Sequence, residues 1–246
     1  MTSLFKEKCD KIFALNSLPL PTDEQAEKLE KLTQIMLTVN KSMNLTAITE
    51  ENAIILKHYV DSLTISKYIP EGARVIDIGC GAGFPTLPLA IFRPDLDITA
   101  LDGTAKRIEY VKNTANELGL TNVNAIAGRA EDYTTKPEFK ADFREKFDVV
   151  TARAVANLPV LTELCLPFAR VGGLFASMKA AQGQSELESS ANAISTCGGK
   201  LINADRFSLT ADEKSFEERV IILISKEKQT SAKYPRHYSQ ISKKPL

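Results

Sequence analysis

One α/β domain built on a mostly parallel, seven-stranded sheet is the fold this sequence predicts, on three observations. Its 246 residues suffice for one such domain with short additions at the ends and fall short of two. From Arg74 onward, short apolar runs alternate with helical stretches, the pattern of right-handed crossovers and a parallel sheet covered on both faces. The last two runs are joined by a polar loop with no room for a crossover helix, so they should pair as an antiparallel hairpin.

The first seventy residues read as helices. Thr22 with Gln25 three positions later forms a capping box after Pro21, and Leu29, Leu32, Met36 and Val39 follow at a/d spacing. A further helix covers Glu51 to Tyr68, with Ile55, Tyr59 and Leu63 on one stripe, and Pro70 and Gly72 end it. Parallel strands are expected at Arg74–Ile78, Ile98–Leu101, Val123–Ala127, Phe147–Thr151 and Leu174–Met178. Helices should fill Pro85–Phe92, Thr104–Leu118, Leu158–Ala169 and Ser185–Thr196, with Gly119 and Gly198–Gly199 as stops. Lys200–Leu209 and Arg219–Ser225 make the hairpin. The expected organisation is a helical extension over residues 1–70 packed on a core of 71–228, then a basic tail of 229–246, all one domain. No internal repeat, low-complexity tract or linker argues for a second.

Thirty-one basic side chains balance thirty-one acidic ones, so no overall field announces nucleic acid. The balance hides a local bias. Between Ser225 and Leu246, Lys226, Lys228, Lys233, Arg236, Lys243 and Lys244 stand against Glu227 alone. Interrupted by Pro235 and Pro245, this tail reads as too polar to build core; it is either a solvated terminus or a phosphate-binding arm. Cys9, Cys80, Cys165 and Cys197 form no C-x-x-C pair, which argues against a disulfide framework or zinc site and for a reducing, cytoplasmic setting. With only His58 and His237, no histidine cluster offers a metal site. The N-terminal MTSLFKEKCDKIFALN mixes charge into its apolar residues, unlike a signal peptide, and no apolar run is long enough to span a membrane.

The chemistry-bearing segment is Val75-Ile-Asp-Ile-Gly-Cys-Gly-Ala-Gly-Phe-Pro. Gly79, Gly81 and Gly83 follow the first strand and open a helix, with Pro85 near its first turn. Glycine belongs where a turn needs positive φ or a ligand must approach the backbone, so a ligand is expected at the carboxyl end of this strand. A dinucleotide fingerprint would place glycine at position 84, where this chain has Phe84. It also carries an acid, Asp77, on the strand itself, which an anionic pyrophosphate would repel. A cationic ligand fits better, and S-adenosylmethionine carries both a sulfonium and an ammonium. Asp102, at the end of the second strand, can accept the ribose hydroxyls. The bland alternatives are that Asp77 ties down the loop and Asp102 caps the next helix. After the third strand, Gly128-Arg-Ala-Glu-Asp either offers a backbone N–H and an acid to the adenine or simply starts a turn at Glu131 and Asp132.

Thr151-Ala-Arg-Ala-Val-Ala-Asn-Leu-Pro follows the fourth strand, where Asp/Asn-Pro-Pro-Tyr/Phe would mark methylation of an exocyclic amine. Neither Cys165 nor Cys197 follows that strand, so neither suits the nucleophile of cytosine C5 methylation, and both read as packing residues. A target atom that owns a lone pair, such as guanine N7, remains; it loses no proton and needs no general base.

Met43-Asn-Leu-Thr, His58 with Asp61-Ser-Leu, Asp77-Ile-Gly-Cys-Gly-Ala-Gly-Phe-Pro, Leu101-Asp-Gly-Thr-Ala-Lys-Arg, Thr151-Ala-Arg-Ala-Val, Leu174-Phe-Ala-Ser-Met-Lys and Tyr234-Pro-Arg together resemble the small-subunit ribosomal RNA methyltransferase G family, also called glucose-inhibited division protein B, over nearly the whole chain. The resemblance implies a Rossmann-like class I methyltransferase fold with an N-terminal helical extension. It implies transfer of a methyl group from S-adenosylmethionine to N7 of one guanosine of 16S ribosomal RNA, near the decoding-centre loop. The partner would be 16S RNA or a 30S assembly intermediate, with no metal and no membrane, and the protein a monomer. The family's cofactor residues fall on Gly79, Phe84, Ala130, Glu131 and Arg153, with Asp102 at the ribose; Asp77 and Gly81 join them from the loop reading. The chain departs from the family at Gly103, where Ser is usual, and in the charged insert Pro137–Lys146, expected as a longer surface loop.

Arg153 reads as reaching the cofactor carboxylate or an RNA phosphate, or else as a salt bridge to an acid such as Glu163. His58 and Asp61, three apart on one helix face, either brace the pocket or form a structural pair. Lys106, Arg107, Lys179, Arg236 and His237 are candidate RNA contacts, each also readable as a solvated surface charge. Two other functions remain open. One is a methyltransferase acting on a small molecule. The other is a non-catalytic nucleic-acid-binding module whose glycine loop is only a turn.

Overall fold

The computed structural model describes residues 3–153 and 155–246, with the backbone alone described at 182–184. Ala154, inside the Thr151–Val155 motif, and the first two residues of the N-terminal segment lie outside the described residues.

Two helices, α1 (Leu4–Leu15) and α2 (Asp23–Met43), lead the chain. The α2 start is the capping box read from sequence: Gln25 N–H donates to the Thr22 hydroxyl and Thr22 N–H donates to the Gln25 side chain. Leu29, Leu32 and Met36 are fully buried and Val39 partly so. The helix expected over Glu51–Tyr68 is present but not uniform. It runs through α3 (Glu51–Ile54), a π turn (Ile55–Val60), α4 (Asp61–Leu63) and a 3-10 turn (Ser66–Tyr68). Its stripe of Ile55, Tyr59 and Leu63 is buried. The π turn is a device often found at functional sites, and His58 lies within it.

The sheet contains β1 (Arg74–Ile78), β2 (Asp97–Asp102), β3 (Val123–Ala127), β4 (Phe147–Arg153), β5 (Ala169–Ala180), β6 (Gly199–Leu209) and β7 (Glu217–Lys226). Their order is β3-β2-β1-β4-β5-β7-β6. The first five are parallel, and β7 runs antiparallel between β5 and β6, so the expected hairpin forms. The helices between them are α5 (Thr86–Phe92), α6 (Ala105–Glu117), α7 (Ala130–Thr135), α8 (Pro137–Phe143), α9 (Leu158–Cys165) and α10 (Leu187–Thr196), followed by α11 (Tyr238–Lys243). Successive strand residues feed opposite faces. Val75 packs with α1, α2, α5 and α6, whereas Ile76 packs with Tyr133, α9 and Ile241 of α11.

Three expectations are corrected. The helix expected to reach Ala169 stops at Cys165, because Pro167 cannot continue it, and β5 starts at Ala169. The 137–146 insert is not a plain loop: Pro137 opens α8, and Phe139 and Phe143 pack on Tyr133 with ring centroids 4.5 and 4.8 Å away. The tail does build core, since Ile241 is fully buried and Leu246 packs against the same cluster.

Candidate functional site at the sheet switch point

The strand order reverses between β1 and β4, and a crevice opens beyond the carboxyl ends of strands at such a point. The loop leaving β1 turns back on β2: Gly79 N–H and Cys80 N–H both donate to Leu101 O, at 2.7 and 3.1 Å. Gly79, Gly81 and Gly83 hold φ of 73°, 56° and 84°. The three differ in what faces them. A Cβ on Gly79 would strike Val155 at 2.6 Å, and one on Gly83 would strike Leu87 at 2.6 Å, whereas Gly81 faces open space with only Gly79 O at 3.9 Å. Gly79 and Gly83 are close-packing positions, and Gly81 leaves its backbone exposed to whatever enters the crevice.

Two carboxylates hold this loop from beneath. Asp77, 1% exposed, accepts the hydroxyls of Thr86 at 2.7 Å and Thr151 at 3.1 Å. Thr151 stands beside it in the register of β1 and β4. Burial pushes the Asp77 carboxyl up to about 6, against the pull of the two hydroxyls and of Arg153. Asp102 accepts Gly81 N–H at 3.0 Å on one oxygen and Thr104 N–H at 2.8 Å on the other. Each oxygen keeps a second lone pair, and the Gly81 contact orients the carboxylate along the open face of the loop.

Phe84, 5% exposed, is clamped from the helical side. The His58 ring stacks on it with centroids 4.3 Å apart and planes 5° from parallel, and the Arg153 guanidinium lies 5.5 Å from its centroid. Thr46, in the Met43–Thr46 motif, sits 3.0 Å from His58 Nε2, and both its backbone N–H and carbonyl are held by the Asn40 side chain. Burial and the Arg153 charge lower His58 to about 3, so the ring is neutral. Arg153 donates to Lys57 O at 2.9 Å and to Asp61 at 3.1 Å, and Arg219 approaches Asp61 at 3.4 Å. The acid paired with Arg153 is therefore Asp61, not Glu163. His58 and Asp61 do not bond each other; they face Thr46 and the arginines respectively.

At the third strand, Ala130 opens α7 and Glu131 is buried. The Glu131 carboxylate accepts Tyr238 N–H at 3.2 Å, so its side chain serves the tail. The five RNA candidates separate. Lys106, Arg107 and His237 are exposed. Lys179 donates to Glu186 at 2.8 Å and to Ala156 O at 2.5 Å. Arg236 donates to both oxygens of the fully buried Glu163, at 2.9 and 2.6 Å, and its backbone N–H donates to the same group. Arg236 is thus an anchor of the tail. All four cysteines are buried and burial raises each thiol, Cys9 and Cys197 to about 12.

A cavity of about 520 Å³ opens beside Arg153, lined by Lys57, His58, Asp61, Glu186, Glu217 and Arg219 with Ile48, Met178 and Ala180. Glu217 and Arg219 were not among the sequence candidates; their strand reads as a plain hairpin arm, and only the fold brings its start to the end of β4. Among the described residues there is no group of three or more side chains arranged to hold a metal, and no helix long and apolar enough to cross a membrane.

Residues 25–215 match the family model described as rRNA small subunit methyltransferase G. The chain is 41% identical over 229 residues to the ribosomal RNA small subunit methyltransferase G of Lactobacillus helveticus, covering 92% of each chain. It is 42% identical over 243 residues to that of Brevibacillus brevis, covering 98% of this chain and 99% of the relative. Among solved structures, it resembles M. jannaschii TYW2 in complex with AdoMet, with a TM-score of 0.53 and 16% identity over 68% of this chain and 75% of that one. A SAM dependent methyltransferase from Aquifex aeolicus superposes with a TM-score of 0.51 at 14% identity, covering 78% of this chain and 97% of that one. These structural likenesses concern the fold.

Proposed function

The chain belongs to the rRNA small subunit methyltransferase G family, and on that premise we propose that it transfers a methyl group from S-adenosylmethionine to N7 of a guanosine in 16S ribosomal RNA. The observation that carries the reading is the meeting of three features at the switch point: the open backbone of Gly81, the oriented carboxylate of Asp102, and the cavity beside Arg153. The cofactor supplies an electrophilic methyl on a cationic sulfur. With the cofactor bound, Asp102 would hold the ribose hydroxyls with its spare lone pairs, the start of α7 at Ala130 and Glu131 would meet the adenine through its backbone, and Arg153 would face the carboxylate end. Asp77, ionised at neutral pH and buried beneath the loop, adds negative potential where the cofactor is positive.

The bound cofactor would supply its methyl to the N7 lone pair, and because N7 carries no proton, no side chain of this site has to accept one. This suits a site where His58 is held neutral and bonded, and every cysteine is kept as a buried thiol. Catalysis then rests on alignment and exclusion of water. The test is incubation with 16S RNA or 30S subunits and methyl-labelled cofactor, followed by borohydride and aniline cleavage, which cuts at N7-methylguanosine. One cleaved guanosine is expected. Label in an exocyclic amine or a ribose would overturn the N7 reading.

A further inference from the structure

The cavity beside Arg153 has more built into it than methyl transfer needs. Its size falls in the range of about 300–1,000 Å³ typical of small-ligand pockets, enough for one nucleobase. It adjoins the glycine loop, because His58 and Arg153 line it and both contact Phe84. Its polar wall is an alternating set: Lys57 lies 2.5 Å from Glu217, Arg219 lies 2.8 Å from Glu217 and 3.4 Å from Asp61, and Arg153 lies 3.1 Å from Asp61. Asp61 is enclosed between two arginines, whereas the Glu217 side chain keeps 32% of its surface open. The His58 ring, more than nine-tenths buried, closes the cavity on the side of Phe84. Next to Glu217, the Phe216 ring is 59% exposed, an uncommon position for a phenyl group and a fitting platform for a flanking base.

We propose that this cavity receives the target purine, turned out of the RNA, and that Glu217 selects guanine by accepting its N1–H and 2-amino hydrogens. The inference rests on the methyltransferase reading above and names the specificity residue of that same site. A carboxylate complements two adjacent donors, which guanine has on its Watson–Crick edge and adenine does not; adenine would turn the N1 lone pair toward the acid. Lys57 and Arg219 keep Glu217 ionised and in place without covering it.

The experiment uses the full-length protein and 16S RNA in which the mapped guanosine is replaced by inosine, which keeps N7, O6 and N1–H but lacks the 2-amino group. Single-turnover kcat/KM should fall about tenfold or more from guanosine to inosine in the wild type. In Glu217→Gln the guanosine rate should drop to near the inosine rate, so the ratio approaches one while S-adenosylmethionine affinity is retained. Ala180→Phe, which fills the cavity, should abolish RNA methylation with cofactor affinity again retained. A Glu217→Gln enzyme that keeps the wild-type ratio, or a wild type indifferent to inosine, would overturn the assignment. A wild type that methylates no guanosine RNA would instead remove the function on which it rests.

Discussion

The His58 imidazole and the Phe84 phenyl ring lie face to face, 4.3 Å between centroids, and through this contact the helical N-terminal region grips the glycine loop. The contact joins two sequence segments that carry separate motifs. Thr46 fixes the imidazole from one side, and Arg153 covers the phenyl ring at 5.5 Å. The shape of the cofactor loop therefore depends on residues well outside it.

Phe84→Ala should show this dependence. Removing a buried ring costs about 3–5 kcal/mol where the site cannot collapse, and the ring here is 5% exposed. The variant should melt several degrees lower and bind S-adenosylmethionine at least tenfold more weakly, measured by calorimetry. A protein that melts lower but binds normally would confine Phe84 to packing.

Much of this arrangement was legible beforehand, and the reason differs by residue. Gly79, Gly81 and Gly83 announce positive φ because few other residues adopt it cheaply, and all three have it. The strands from Arg74 to the final hairpin were legible from their apolar runs, since each strand of a buried parallel sheet is apolar on both faces. What sequence could not give was partnership across the fold. Arg153 pairs with Asp61, 92 positions earlier, and Arg236 with Glu163, 73 positions earlier. No local spacing encodes such pairs. Glu217 and Arg219 were missed for the same reason, and the tail was misread because one buried residue, Ile241, outweighs its polar surroundings.

Acid stability should reveal two opposed titrations. Asp77 is raised by burial from 3.8 to about 6, so the folded state holds a proton that the unfolded chain releases, and its contribution falls as pH rises across that window. His58 is lowered from 6.5 to about 3, so the unfolded chain holds the proton, and its contribution rises with pH from about 3 to 6.5. Between pH 4 and 6 the two partly cancel. Asp77→Asn removes the opposing member of the pair. It should therefore gain stability more steeply than wild type as pH rises from about 4 to 6. Cofactor affinity should fall, because the negative potential under the loop is lost. Parallel melting curves for the two proteins across this range would refute the titration assigned to Asp77.

Gly81→Val tests where the ligand lies. A left-handed conformation costs an L-residue about 1–2 kcal/mol, and a Cβ at Gly81 would meet nothing nearer than Gly79 O at 3.9 Å, so the fold should survive. Cofactor binding should be abolished, since the β-branched group would occupy the space in front of the loop. Unchanged affinity by calorimetry would place the ligand elsewhere.

The tail gives the last test. Arg144 donates to Thr134 O in α7 and to the carbonyls of Thr230, Ser231 and Tyr234 in the tail, at 2.7–3.1 Å. Glu131 at the start of α7 accepts Tyr238 N–H, and the Arg129 guanidinium lies 5.5 Å from the Tyr238 ring. Both ends of the short helix proposed to meet the adenine are thus tied to residues beyond Thr230. Deleting Tyr234–Leu246 should lower the melting temperature and S-adenosylmethionine affinity together, because it exposes Ile241's pocket and leaves Glu163 buried without its arginine. Arg236→Met, which keeps Ile241 in the chain, should reproduce both losses in part. RNA binding by the surviving folded protein should keep its salt dependence, since Arg236 is spent on Glu163. A phosphate arm predicts the reverse: each lost contact would reduce the log–log salt slope by about 0.7–0.9, with the melting temperature and cofactor affinity unchanged. Measured on one truncated protein, a flatter slope at constant stability would reinstate the arm and remove the tail from the cofactor site.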